Sequence, residues 1–201
     1  MKKTILLLLC CVILLCFSIG CGQKEPEAAF VLNKTYDYTD ASVTFSYGDG
    51  FTVYPVAENK TIIVGIGKSA SYFKEGAAIY YEVTDETGRL RDRHFILYEV
   101  DEMISAKDHL DTIEQTALTK YDDFAVVKKG PEKLAGNDAY LLHYRRAALS
   151  KDGSTRMADN YYYALQADNG KNYVVLLFCD DAVTDEERDA LFAVLDSLKF
   201  Y

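Results

Sequence analysis

Hydrophobic and polar residues alternate along the chain with two different periods, and the switches between them mark out its elements. Val43, Phe45 and Tyr47 share one side of a short segment whose other side is Ser42, Thr44 and Ser46, which predicts a half-buried strand. Gly48-Asp49-Gly50 predicts a turn, and Phe51-Thr52-Val53-Tyr54 returns until Pro55 ends it. Residues 61–66 are apolar and rich in β-branched side chains, so they read as a strand closed by Gly67. Residues 68–75 are ambiguous, a helical turn around Tyr72 and Phe73 being one reading. Further strands are expected over 77–83 and 94–100, separated by a polar loop with Gly88 at its turn.

The period then changes. Ser105 can cap a helix, and Ala106, Leu110, Ile113, Ala117 and Tyr121 fall at helical steps that make one buried stripe. Residues 124–128 read as a strand that Gly130-Pro131 should break. Gly136-Asn137-Asp138 turns into a strand over 139–146, with Tyr140, Leu142 and Tyr144 on one face. Lys151-Asp152-Gly153-Ser154 and Asp168-Asn169-Gly170-Lys171 are hairpin signals on either side of a strand over 160–166. The run 173–179 is apolar on both faces, which predicts a central strand covered on both sides. Thr184-Asp185-Glu186-Glu187 is a capping box, and Leu191, Val194, Leu195 and Leu198 form the stripe of a final helix.

Residues 1–21 follow neither period. Lys2 and Lys3 precede an apolar run, and Ser18 and Gly20 flank Ile19 just before Cys21. A basic start, an apolar core and a small-residue exit have the layout of a secretory signal. The stretch Ser18-Ile19-Gly20-Cys21 resembles the lipobox of bacterial lipoprotein signals, although Ser18 stands where that family usually has leucine. The resemblance implies cleavage before Cys21, diacylation of Cys21 with palmitate-type chains, and a location on the outer side of the cell membrane. Cys10, Cys11 and Cys16 lack the preceding small residue that Cys21 has. Simple secretion and an uncleaved anchor are the alternatives, the apolar stretch being a little short of the roughly 20 residues a spanning helix needs. The expected organisation is a signal peptide over 1–20, a lipidated cysteine and tether over 21–40, and one domain over 41–201, with 30–32 apolar enough to dock on that domain.

Charge and cysteine content narrow the functional classes. The chain carries a formal charge of −9, and loss of Lys2 and Lys3 takes it to about −11, a surface that disfavours nucleic acid and direct adhesion to anionic headgroups. A covalent lipid is therefore what would hold it at a membrane. Beyond Cys21 the remaining cysteine is Cys179, inside the doubly apolar strand, where a buried, inert thiol is expected.

Strands, a helix, hairpin-connected strands and a last helix amount to an α+β domain with a mainly antiparallel sheet and helices packed on it. This order resembles the PsbP-like family. The resemblance rests on Phe51-Thr52-Val53-Tyr54-Pro55, on the helix from Ser105 followed by Phe124, on Gly136-Asn137-Asp138-Ala139-Tyr140, and on the final Ser197-Leu198-Lys199-Phe200. It implies a non-catalytic accessory or assembly role and assigns no functional residue.

Motifs for chemistry are sparse. His94, His109 and His143 lie on separate elements without zinc spacing, no serine sits in a nucleophile elbow, and no glycine-rich phosphate loop occurs. No cofactor, metal or catalytic residue is expected. The acids around 180–189 suit the positive end of a helix better than a calcium loop. Two features suggest binding. Arg89, Arg91 and Arg93 alternate, which would place three guanidinium groups on one side of an extended segment facing an anionic ligand or partner. Among sixteen tyrosines, Tyr161, Tyr162 and Tyr163 are consecutive. Leu165 continues the face of Tyr161 and Tyr163, so that set is expected inward, and Tyr162 outward with Tyr80 as a neighbour, for a protein or glycan partner at the cell envelope. The function these readings favour is a membrane-anchored extracytoplasmic binding or accessory module. A small cell-envelope polymer hydrolase working through carboxylates is the alternative, and a solute-binding receptor a weaker third.

Overall fold

The computed structural model describes residues 31–56, 60–66, 70–75, 78–84, 90–91, 93–149, 155–181 and 183–201. Strand β1 (Lys34–Tyr38) leads through a single 3₁₀ turn (Thr39–Ala41) into β2 (Val43–Tyr47), which pairs back on it. The strands β3 (Phe51–Val56), β4 (Thr61–Ile66), β5 (Ala70–Glu75), β6 (Ala78–Thr84), β7 (Leu90–Arg91) and β8 (Arg93–Val100) follow. Helix α1 (Ala106–Lys120) separates them from β9 (Ala125–Leu134), β10 (Asn137–Leu149), β11 (Thr155–Gln166) and β12 (Asn172–Asp180), and the chain ends in helix α2 (Asp185–Asp196) and β13 (Lys199–Phe200).

A seven-stranded sheet with the order β3-β4-β8-β12-β11-β10-β9 is the frame, and β1-β2-β13 and β5-β6-β7 are smaller sheets. The pairings are antiparallel throughout. The expected α+β architecture is therefore present, with β12 at the centre of the large sheet. On one face Val64, Leu97, Leu177 and Leu165 pack with Leu191 and Leu195 of α2 and with Val43 and Phe45 of β2. On the other, Leu142, Tyr144, Ala164 and Val174 pack with Leu110 of α1. Leu110 is fully buried, a burial that contributes roughly 1.5–3 kcal/mol.

Both helices start where their caps predict. The Ser105 hydroxyl accepts the Asp108 N–H at 3.0 Å, and Thr184 and Glu187 complete a reciprocal capping box. Four local expectations change. The domain starts before residue 41, because β1 is an integral strand rather than tether. Residues 70–75 form a strand, not a helical turn. Pro55 and Pro131 end neither β3 nor β9, since those are the two outermost strands of the large sheet and an edge strand can spare one N–H. Gly130, at φ 154°, supplies the backbone freedom next to Pro131. Among the described residues no helix is long and apolar enough to cross a membrane.

Candidate functional site

The β10–β11 hairpin brings a partly open polar group of the large sheet together. Its register sets His143 opposite Tyr161 and Arg145 opposite Asp159, and alternate residues of a strand share a face. The His143 Nε2 lies 2.7 Å from Asp159 Oδ1, and Arg145 Nε lies 3.5 Å from the same oxygen. The imidazole stacks flat on Tyr161 with centroids 3.9 Å apart, and Phe192 of α2 meets the other side of that ring edge-on at 5.3 Å. Arg188, one helical turn before Phe192, pairs with Asp185. Burial raises the Tyr161 hydroxyl above its usual pKa and the Asp159 charge adds to this, while Arg188 and Arg145 pull against both. The side chains of Arg145 and Arg188 are 45% and 35% exposed, against 14% for His143 and 22% for Asp159. The patch thus has a rim of two arginines, each paired with an aspartate, over a floor of imidazole, carboxylate and phenol.

This arrangement suits recognition better than nucleophilic chemistry. Asp159 stands opposite Cys179 in the next strand pair, so cysteine, histidine and aspartate share a face. Cys179 is 4% exposed. Strand spacing sets β10 and β12 roughly 10 Å apart, whereas a base must reach its nucleophile at roughly 2.6–3.2 Å. Among the described residues no group of three or more His, Cys, Asp or Glu could hold a metal ion.

The residues singled out from the sequence are dispersed. Tyr162 does not face outward. It belongs to the second core beneath α1, stacked on Tyr144 at a centroid distance of 6.0 Å. Burial, helped by Tyr144 and Tyr98, drives its hydroxyl well above the usual pKa. The outward assignment fails because the sheet is covered on both faces, so Tyr163 enters the core on the α2 side and Tyr162 packs, half-buried, against the core on the α1 side. Cys21 and Arg89 lie outside the described residues. The backbone of Tyr80 sits on β6 opposite Phe73, Arg91 on β7 opposite Val83, and Arg93 on β8 opposite Cys179. Arg91 and Arg93 thus belong to strands of different sheets. In the register the backbones of Arg93, Cys179, Asp159 and Arg145 form one row across four strands.

His143, Arg145, Asp159 and Tyr161 carried a readable signal: His143 and Tyr161 are equidistant in sequence from Asp152, in the hairpin turn, as are Arg145 and Asp159. The adjacent pair Arg145-Arg146 carried another, since neighbours on a strand go to opposite faces and one guanidinium must enter the α1 side. There Arg146 lies over the Tyr121 ring at 4.4 Å and near Phe178 at 5.8 Å. His94 stacks on Phe178 at 5.5 Å, and Arg156 and Asp180 form a buried ion pair at 3.2 Å.

No family model matches the chain, and no curated protein matches it. Among solved structures it is similar to the cyanobacterial PsbP of Synechocystis sp. PCC 6803, at 15% identity and a TM-score of 0.50, over 92% of this chain and 99% of that one. It is also similar to the Ran-binding protein Mog1p of Saccharomyces cerevisiae, at 10% identity and a TM-score of 0.48, over 83% and 94% of the two chains. LpqN of Mycobacterium tuberculosis, a protein involved in cell envelope biogenesis, matches at 16% identity and a TM-score of 0.41, over 75% and 91%. At such identities the likeness is one of backbone, and the chain has the PsbP-like α+β fold.

Proposed function

We propose that the chain is a membrane-anchored extracytoplasmic lipoprotein whose domain is a non-catalytic binding or accessory module. The patch beside α2 carries the binding part of this reading: in a strongly acidic chain, His143, Arg145 and Arg188 converge with Tyr161 on a partly open stretch of the sheet. Rim arginines around aromatic floor residues suit a partner surface whose carboxylates replace Asp185 and Asp159 on Arg188 and Arg145, because guanidinium groups take carboxylates bidentately and rings supply contact area at little entropic cost. The lipobox-like Gly20-Cys21 supports the anchor, and two acyl chains hold stably where one is marginal. The polymer hydrolase gains no specific support, since the carboxylate of the patch, Asp159, is already engaged by His143 and Arg145.

Two experiments test the two halves. Metabolic labelling with a fatty-acid probe should mark the native chain and not Cys21→Ser; label that persists in the mutant removes the lipid anchor. A photoreactive residue at position 145 should crosslink a protein in native membranes, and one at position 133, at the end of β9 remote from Ala125, the partner of Arg145, should not. Equal crosslinking from both positions would count against the patch, and enrichment of glycan alone would reassign its partner.

A further inference from the structure

On the opposite face of the sheet, Arg146 is held in an unusual way. Its Cζ lies 4.4 Å from the ring centroid of Tyr121, at the C-terminal end of α1, and 5.8 Å from that of Phe178 on β12. Nη1 donates to the Ala147 carbonyl at 3.1 Å. Nε is buried and has no hydrogen-bond partner. The guanidinium fork has two edges able to grip a planar oxyanion, and the side edge consists of the Nε and Nη2 hydrogens. In Arg146 the other end is tied to a carbonyl, and the charge sits over the Tyr121 ring. A buried charged donor without an acceptor bears its full desolvation cost, so such a group normally marks an ion or water bound in the working state.

Among the described residues, the surroundings bring no free carboxylate to that edge of Arg146. Ala158 stands directly opposite Arg146 on β11 and is fully buried, so the cross-strand residue brings no acceptor to the guanidinium. The Tyr144 hydroxyl accepts a hydrogen bond from the Arg146 side chain, and this bond and the Arg146 charge pull its pKa down against the dominant effect of burial. The nearby carboxylates have other partners: Asp180 pairs with Arg156, and Asp123 accepts the Ala147 N–H at 2.5 Å.

We infer that Arg146, set over Tyr121 and opposite Ala158, is a binding site for a small oxyanion, a carboxylate or a phosphate group gripped through the Nε edge. The site is separate from the patch beside α2 and does not depend on it. Bidentate capture distinguishes arginine from lysine, which keeps the charge and loses the fork.

The test uses the full chain in detergent, melted in sodium phosphate and, separately, in sodium acetate, each titrated at constant ionic strength with sodium chloride. The wild type should show a saturable rise in Tm of a few degrees with one of the two anions, and that anion identifies the group recognised. Arg146→Lys should lose the rise, with apparent affinity reduced at least tenfold. Should that variant fail to fold, Tyr121→Leu, which removes the ring beside the guanidinium, should weaken the same titration, read also by phosphorus NMR of the phosphate. The proposal is overturned by the absence of a saturable rise with either anion, by an unchanged rise in Arg146→Lys, or by loss of the rise in Arg145→Lys instead, which would put the anion on the other face.

Discussion

Replacing Tyr162 by alanine separates the two-sided sheet from a one-sided one. In a sheet with a single core, Tyr163→Ala would unfold the domain and Tyr162→Ala would be nearly silent. In this structure both should destabilise, because Tyr162 packs under α1 while Tyr163, 7% exposed, lies in the core with α2. Truncating a buried aromatic to alanine costs roughly 3–5 kcal/mol. Tyr162 is half-buried overall, so the lower end applies, and loss of the stacked pair with Tyr144 at 6.0 Å is part of that figure. About 3 kcal/mol corresponds to a Tm lowered by about 6–12 °C in a domain of this size. Thermal melts by circular dichroism, with urea melts to check that the m-value is unchanged, read this directly. Tyr162→Phe is the control. It keeps the ring and the stack, and should stay within about 1 kcal/mol of the wild type. A Tyr162→Ala variant that melts within a degree of the wild type would refute the packing of α1 on this face.

Three further outcomes follow from local features. Ala135 occupies the left-handed region at φ 50° in the turn between β9 and β10, ahead of Gly136 at φ 83°; Ala135→Asn should relieve about 0.5–1 kcal/mol of strain and raise Tm by about 1–4 °C in a melt. Cys179, 4% exposed, should resist a thiol reagent until the protein is denatured, and Cys179→Ala should cost about 1 kcal/mol in urea melts without changing crosslinking from position 145. Burial holds the His109 imidazole below its usual 6.5. The unfolded chain therefore binds that proton first, so stability present above pH 6.5 should be lost as pH falls below it, and His109→Gln should flatten the slope just under pH 6.5 in urea melts at stepped pH.

Much of the fold was legible because local chemistry and tertiary packing agree. The capping box at Thr184 and the stripes of α1 and α2 are realised by the residues that announce them. The hairpin at Asp168 closes with Gly170 at φ 80°. The misplaced tyrosine shows where single-strand reasoning stops. A strand pattern tells which residues share a face, not what lies over that face. Yet β12 is apolar on both sides, and a helix is roughly 10–12 Å across while strands are about 4.8 Å apart. A helix covering Val174 must therefore also cover the adjacent strand, and Tyr162 stands directly opposite Leu176 on that strand. The candidate site was legible only in part. His143 and Arg145 follow from the hairpin, but Arg188 and Phe192 join them through the docking of α2, which no local pattern encodes.

The two prolines carry more topological information than their usual reading as strand breakers allows. Pro55 is paired with Ile62 inside β3, and Pro131 with Tyr140 inside β9. Each strand bonds to one neighbour and leaves its other side free, which is where a residue without an N–H can stand at no loss of ladder bonds. Lysines reinforce the β9 edge against strand addition: Lys128 pairs with Glu132, Lys133 with Asp138, and Lys129 with Asp111 and Glu114 of α1. A proline within a run long enough to be a strand therefore assigns that strand to a border. With β3 and β9 fixed as borders, the hairpin β3–β4 must grow inward from one side and the meander β9 to β12 from the other. β8, the long strand left over, is then required to join β4 to β12, and this is the pairing observed.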